Sequence, residues 1–172
     1  MLHRFFTATQ EPVYFDRGRD GRWNAPDASF GVLYAACSIA GAFAETFPRV
    51  PGRTLLPADL LARKAYARLR VLRPLTLIKF SGPGLSRLGA TAEVAHGGRP
   101  YDAAQAWSKA LRAHPVGAAG IAYTARHDDE SVCAALFDAN PCPVAVIDRE
   151  TGLDQDWFWR VAEAYGVGLA PG

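Results

Sequence analysis

Residues 32–48 read VLYAACSIAGAFAETFP. The opening residues, 32–35, are apolar and carry a valine and a tyrosine, so they read as a short strand. Residues 38–47 are built mainly from Ala, Ile and Phe and read as a helix, which Pro48 ends. One charge stands in that helix, Glu45. A carboxylate on so apolar a helix needs a reason.

The flanks settle the class of fold. Residues 2–7 are apolar and aromatic with a basic interruption at Arg4, and read as a strand. Residues 8–31 are rich in Gly, Pro, Asp and Arg; long irregular segments in compact domains often carry function. Downstream, residues 48–57 are punctuated by proline and read as loop, and 60–67 as one or two helical turns. Residues 69–72 and 75–80 read as strands around Pro74. A helix is expected over 101–114, stopped by Pro115, and a buried strand over 120–124. The run 132–137 fits strand or helix, 143–147 a strand, and 154–165 a helix with Asp154 as its cap. Strands dominate and helices intervene without strict alternation, which favours α+β over a doubly wound sheet.

The chain has 172 residues and is 49% apolar. One domain over residues 1–172 with a sizeable core is the expectation. Arginine outnumbers lysine 16 to 3, yet net charge is only +2. Nothing in that balance calls for nucleic acid or an anionic membrane as a partner. No stretch approaches the roughly 20 apolar residues that span a bilayer, and the N-terminal residues lack a secretory pattern. Cys37, Cys133 and Cys142 are odd in number and form no CxxC, so free, mostly buried thiols in a reducing cytoplasm are expected.

Several motifs fail on spacing. Gly82, Gly84 and Gly89 match neither a dinucleotide fingerprint nor a phosphate loop, and Pro83 removes a donor. His127, Asp128, Asp129 and Glu130 read as an exposed polar turn, since adjacent residues rarely converge on one ion; no metal is expected. There is no GxSxG elbow, and no cysteine has basic neighbours that would activate it.

What remains is a constellation. It comprises Arg4 within His3-Arg4-Phe5, the segment GRWN at 21–24, Tyr34 with Glu45 eleven residues on, then Tyr101, Trp107 and the run GIAYTARHD at 120–128. In this order and at these intervals, over nearly the whole chain, the sequence resembles the RES domain, named for an arginine, a glutamate and a serine. The resemblance implies a fold related to ADP-ribosyltransferases, a mixed sheet core with flanking helices. It implies an NAD-degrading enzyme acting as a toxin, with an Xre-like antitoxin as its partner. It places Arg4, Arg22, Tyr34 and Glu45 on binding positions of the family, with Glu45, Arg22 and Tyr34 as the catalytic set. NAD would be the substrate. The resemblance leaves open whether the chain forms a homo-oligomer.

Those residue types suit the chemistry. Breaking the nicotinamide–ribose bond develops positive charge on the sugar, which a carboxylate such as Glu45 can stabilise. An arginine fork grips phosphate oxygens bidentately. Tyr34 could stack on nicotinamide or donate its hydroxyl to a ribose. Plainer roles exist for each: Arg4 covering core surface, Arg22 bridging to Asp20 or Asp27, Tyr34 as a strand aromatic, Glu45 in a structural ion pair.

The chain departs from the family at the serine. Ala103 and Ala104 stand where a small hydroxyl residue is frequent, and Ala125 where serine often precedes the arginine of the later run. Thr124, Ser108 and Ser131 are neighbours off the pattern. The resemblance therefore leaves three readings: cleavage of NAD with water or phosphate as acceptor, ADP-ribosyl transfer to a protein or small molecule, and a degenerate RES domain kept for binding.

Overall fold

The computed structural model describes residues 1–48, 52 and 54–171. Its elements run in the order β1 (Leu2–Thr7), β2 (Val32–Ala36), α1 (Ile39–Thr46), β3 (Leu55–Leu56), α2 (Ala58–Ala62), β4 (Lys64–Val71), β5 (Leu77–Phe80), α3 (Pro83–Leu88), α4 (Ala92–His96), α5 (Asp102–Ala113), β6 (Gly120–Ala125), β7 (Asp128–Phe137), β8 (Val144–Thr151), α6 (Asp156–Ala164) and β9 (Gly168–Leu169). Seven strands form one mixed sheet, ordered β5-β6-β7-β2-β1-β4-β8, and β3 pairs with β9 apart from it. Only β5 and β6 run parallel within the large sheet. The expected α+β class, a mixed sheet with flanking helices, is what the chain adopts.

Strand alternation sorts side chains onto the two faces. Phe5, Val32, Ala36, Tyr66, Ile121, Tyr123 and Cys133 point to the face covered by α1, α5 and α6, where Phe43 and Phe158 join them. Leu2, Phe6, Leu33, Ala65, Ala67, Leu69 and Leu136 point to the other, against which Val13 and Phe15 pack. The segment 8–31 thus serves both faces: Val13 and Phe15 cover one, while Trp23, Ala25 and Phe30 sink into the other.

Several local expectations are corrected. Residues 64–67 are strand rather than helix: β4 pairs with β1 over all six of that strand's residues and with β8 on its other side. Its alanines suit a strand buried on both faces, where bulk cannot be accommodated, and that composition imitates a helix. The polar turn after β6 is confined to Arg126 and His127, and Asp128 already opens β7. The cap of α6 is Gln155, without a side-chain bond; Asp154 instead accepts the indole N–H of Trp159 at 2.7 Å. All three cysteines are free, but Cys37 is exposed. The run 132–137 is strand. Within the expected 48–57 loop, 49–51 and 53 lie outside the described residues, while Leu55–Leu56 form β3.

Candidate functional site

The large sheet opens in its middle. β1 meets β4 at six register positions and β2 meets β7 at five, but β1 and β2 are paired only at His3 opposite Ala36. A cleft of about 490 Å³ follows this gap, within the range of small-molecule sites. Consecutive residues of β1, from Arg4 to Thr7, line it together with consecutive Tyr34 and Ala35 of β2. Neighbours in a strand face opposite ways, so a cleft that touches both lies along the open edges of the two strands.

Arg4, Arg22, Tyr34 and Glu45 all line this cleft. Glu45 lies in the last turn of α1, which is capped by Ser38: its side chain accepts the Gly41 N–H at 3.0 Å. One Glu45 carboxylate oxygen accepts the backbone N–H of Arg126 at 2.8 Å, and the other accepts the Tyr123 hydroxyl at 3.3 Å. Among the described residues Glu45 forms no ion pair, so the structural-bridge role is set aside there. The carboxyl group is held by neutral donors and lines the cleft.

Arg22 comes from the GRWN segment, and the fold explains each letter. A Cβ at Gly21 would stand 2.6 Å from the Tyr34 hydroxyl and closer still to Asn24 Oδ1, so only glycine lets the loop pass. Trp23 is fully buried against Phe80 and Tyr123. Asn24, also buried, donates to the Asp16 carboxylate at 2.9 Å and the Gly18 carbonyl at 2.8 Å. From α5, Gln105 reaches the carbonyls of Arg19 and Gly21, and Ser108 that of Trp23. So braced, Arg22 is only 8% exposed. It donates to the Ala95 carbonyl, and its buried Nε finds no partner. The two carboxylates that might have claimed it are taken: Asp20 by Arg99 at 3.1 Å and Asp27 by Lys109 at 2.5 Å.

The Tyr34 hydroxyl donates to Asn24 Oδ1 and accepts the Trp23 N–H, each at 2.8 Å. Burial pushes its pKa far up, so it stays a neutral phenol. What Tyr34 offers the cleft is its ring and its hold on the GRWN turn. Arg4 lies on the same face of β1 as Leu2 and Phe6, opposite that of Phe5. It donates to the Tyr14 carbonyl at 3.3 Å. Burial lowers its pKa to about 10, with the Asp16 charge acting in the other direction.

Sequence reasoning left Arg99 and Arg126 without roles. Both place a guanidinium near the Tyr101 ring, at 5.8 and 6.0 Å from its centroid, and Arg22 stands at 5.7 Å. Arg126 also donates to the Tyr101 hydroxyl at 3.3 Å and the Gly97 carbonyl at 2.9 Å. Burial acts to raise the Tyr101 pKa, but that hydrogen bond and the charges of Arg126 and Arg22 outweigh it, and the value falls below the ordinary one. Tyr123 and Arg126 were visible within the GIAYTARHD run; that its turn holds Glu45 was not, since the contact spans 81 residues.

The neighbouring hydroxyls are engaged elsewhere. Thr124 bonds His96 at 3.1 Å, Ser108 donates to the Trp23 carbonyl at 2.5 Å, and Ser131 donates to Asp128 at 2.6 Å. No group of three His, Cys, Asp or Glu among the described residues is placed to hold a metal ion. No helix among them is long and apolar enough to cross a membrane.

A sequence profile of the RES domain matches residues 2–160. The chain belongs to the RES domain family. No curated protein matches it in sequence. Among solved structures it is similar to a chain of the M. tuberculosis MbcT–MbcA toxin–antitoxin complex. The TM-score is 0.73 over 94% of this chain and 88% of that one, at 15% identity. That likeness establishes a shared fold for this RES domain.

Proposed function

We propose that this RES domain protein binds NAD in the cleft between β1 and β2 and cleaves its nicotinamide–ribose bond. The observation that carries the reading is the pairing of opposites across one cleft. Among the described residues Glu45 presents a carboxylate that forms no ion pair, and Arg22 a guanidinium that forms none either. Phosphate oxygens suit the arginine. As the C1–N bond breaks, its electron pair leaves with nicotinamide and the ribose becomes cationic beside Glu45. Water, losing a proton, or inorganic phosphate then forms the new bond to C1. Tyr34 would stack against the base or ribose with its ring.

We further propose that the protein is a cytoplasmic toxin restrained by an Xre-like antitoxin. Family membership and the fold shared with a chain of a toxin–antitoxin complex support this. Expression of the chain alone should lower cellular NAD and slow growth, and co-expression of the antitoxin gene should restore both. Steady NAD in cells that make soluble protein would refute the toxin reading. The engagement of Thr124, Ser108 and Ser131 elsewhere favours one rival, a RES domain kept for binding, which would bind nucleotide without turnover.

A further inference from the structure

We propose that Arg22, Arg99 and Arg126, gathered around Tyr101, form a subsite for a phosphoryl anion in this cleft. The proposal deepens the NAD reading but does not need NAD to be cleaved. Three guanidinium groups lie within 6.0 Å of one ring centroid. Like charges so gathered repel one another, and a fold tolerates this most readily where an anion can join them.

Their present partners orient them without neutralising them. Arg22 donates to the carbonyl of Ala95 and Arg126 to that of Gly97, so the C-terminal end of α4 holds both. Neutral acceptors leave both positive charges in place. Arg22 keeps a buried Nε with no acceptor. Among the described residues only Arg99 of the three pairs with a carboxylate, Asp20, and the side chains of that pair are 65% and 87% exposed. So exposed a pair is weakly held and readily exchanged for a phosphate. The Tyr101 ring lends its face to the cations, while its hydroxyl already accepts from Arg126. Among the described residues neither Arg22 nor Arg126 is in an ion pair, so the Tyr101 side of the cleft carries guanidinium charge that no carboxylate pairs.

Arginine forks recognise phosphoryl oxygens in pairs. The same chemistry is offered by the diphosphate of a dinucleotide and by free inorganic phosphate. Calorimetric titration of the whole protein with ADP, ADP-ribose and inorganic phosphate, none of which carries nicotinamide, separates the sources. Arg99→Ala and Arg126→Ala are the variants. Truncating Arg126 leaves the backbone N–H that holds Glu45. Arg63→Ala, an exposed arginine paired with Asp59, controls for net charge.

For a nucleotide diphosphate, ADP and ADP-ribose should each bind about tenfold more weakly to either variant, with partial recovery in Arg126→Lys. For free phosphate, phosphate binding to the wild-type protein should vanish in the variants while ADP-ribose affinity stays. Either result supports the subsite. Wild-type affinity for all three anions in both variants, or an equal loss in Arg63→Ala, would overturn it. Anion binding that persists in a protein without NAD turnover would leave the subsite standing and count against cleavage alone.

Discussion

The carboxylate of Glu45, at the end of α1, accepts the main-chain N–H of Arg126 at 2.8 Å. A backbone donor has fixed direction and survives substitution of its side chain, so the β6–β7 turn sets where the Glu45 charge stands. Tyr123, on the strand leading into that turn, adds the second bond at 3.3 Å. Helix and hairpin thus converge on one carboxylate across 81 residues of sequence.

Tyr123→Phe should leave the core packed, since only a hydroxyl is lost, but free one Glu45 oxygen to turn. Given the length of the bond, about 1 kcal/mol is at stake, roughly fivefold in rate. Steady-state kinetics with NAD should show kcat falling while KM stays near the wild-type value. A change in KM alone would show that Tyr123 contacts substrate rather than positioning Glu45.

Arg22→Ala should weaken NAD binding by roughly 1.5–3 kcal/mol, the usual worth of a charge-assisted contact. Arg22→Lys should recover only part, because an ammonium cannot form the planar fork. Arg4→Ala should cost less, since the Asp16 charge already acts on Arg4. Titration calorimetry ranks the three; unchanged affinity in Arg22→Ala would remove Arg22 from the phosphate site.

Much of this site was legible because its residues break local rules. Glu45 is a charge on an apolar helix, Arg4 a charge in an apolar strand, and GRWN a fixed pattern in a long loop. Three things were hidden. The alanines of β4 imitate a helix until both neighbouring strands are in place. The Tyr34 hydroxyl is consumed by Trp23 and Asn24, a closure ten residues back along the chain that only the folded loop makes. Arg99 had no mark in the sequence and Arg126 stood only as a letter of the GIAYTARHD run; the fold brings both to Tyr101 beside Arg22.

Gly21→Ala tests that loop. The added methyl would press on Asn24 and the Tyr34 hydroxyl, at a cost on the order of 1–3 kcal/mol. The denaturant midpoint should fall, and NAD affinity with it, because Arg22 follows directly. A variant as stable and as active as the wild type would show that the loop relaxes freely.

Asp128 anchors the start of β7. Hydrogen bonds from Ser131 and then Tyr165 hold its carboxyl below the ordinary carboxylate range. A depressed folded-state value stabilises the protein above the unfolded pKa, and the gain is lost as pH falls through the folded one. Asp128→Ala should therefore melt at a lower temperature at neutral pH, and the gap from wild type should begin to close only below about pH 4. A gap that is constant down to strongly acidic pH would deny the charge its part.

Nicotinamide release from NAD by the purified protein, measured beside Glu45→Gln, tests the central claim most directly. The wild-type protein should release nicotinamide with no protein acceptor present. Glu45→Gln, folded by circular dichroism, should be slower by about a hundredfold or more, because its charge acts mainly in the transition state. Runs with and without phosphate would identify the acceptor. Near-normal release by Glu45→Gln would contradict the assignment of Glu45, and no release by the wild-type protein under either condition would contradict NAD cleavage itself.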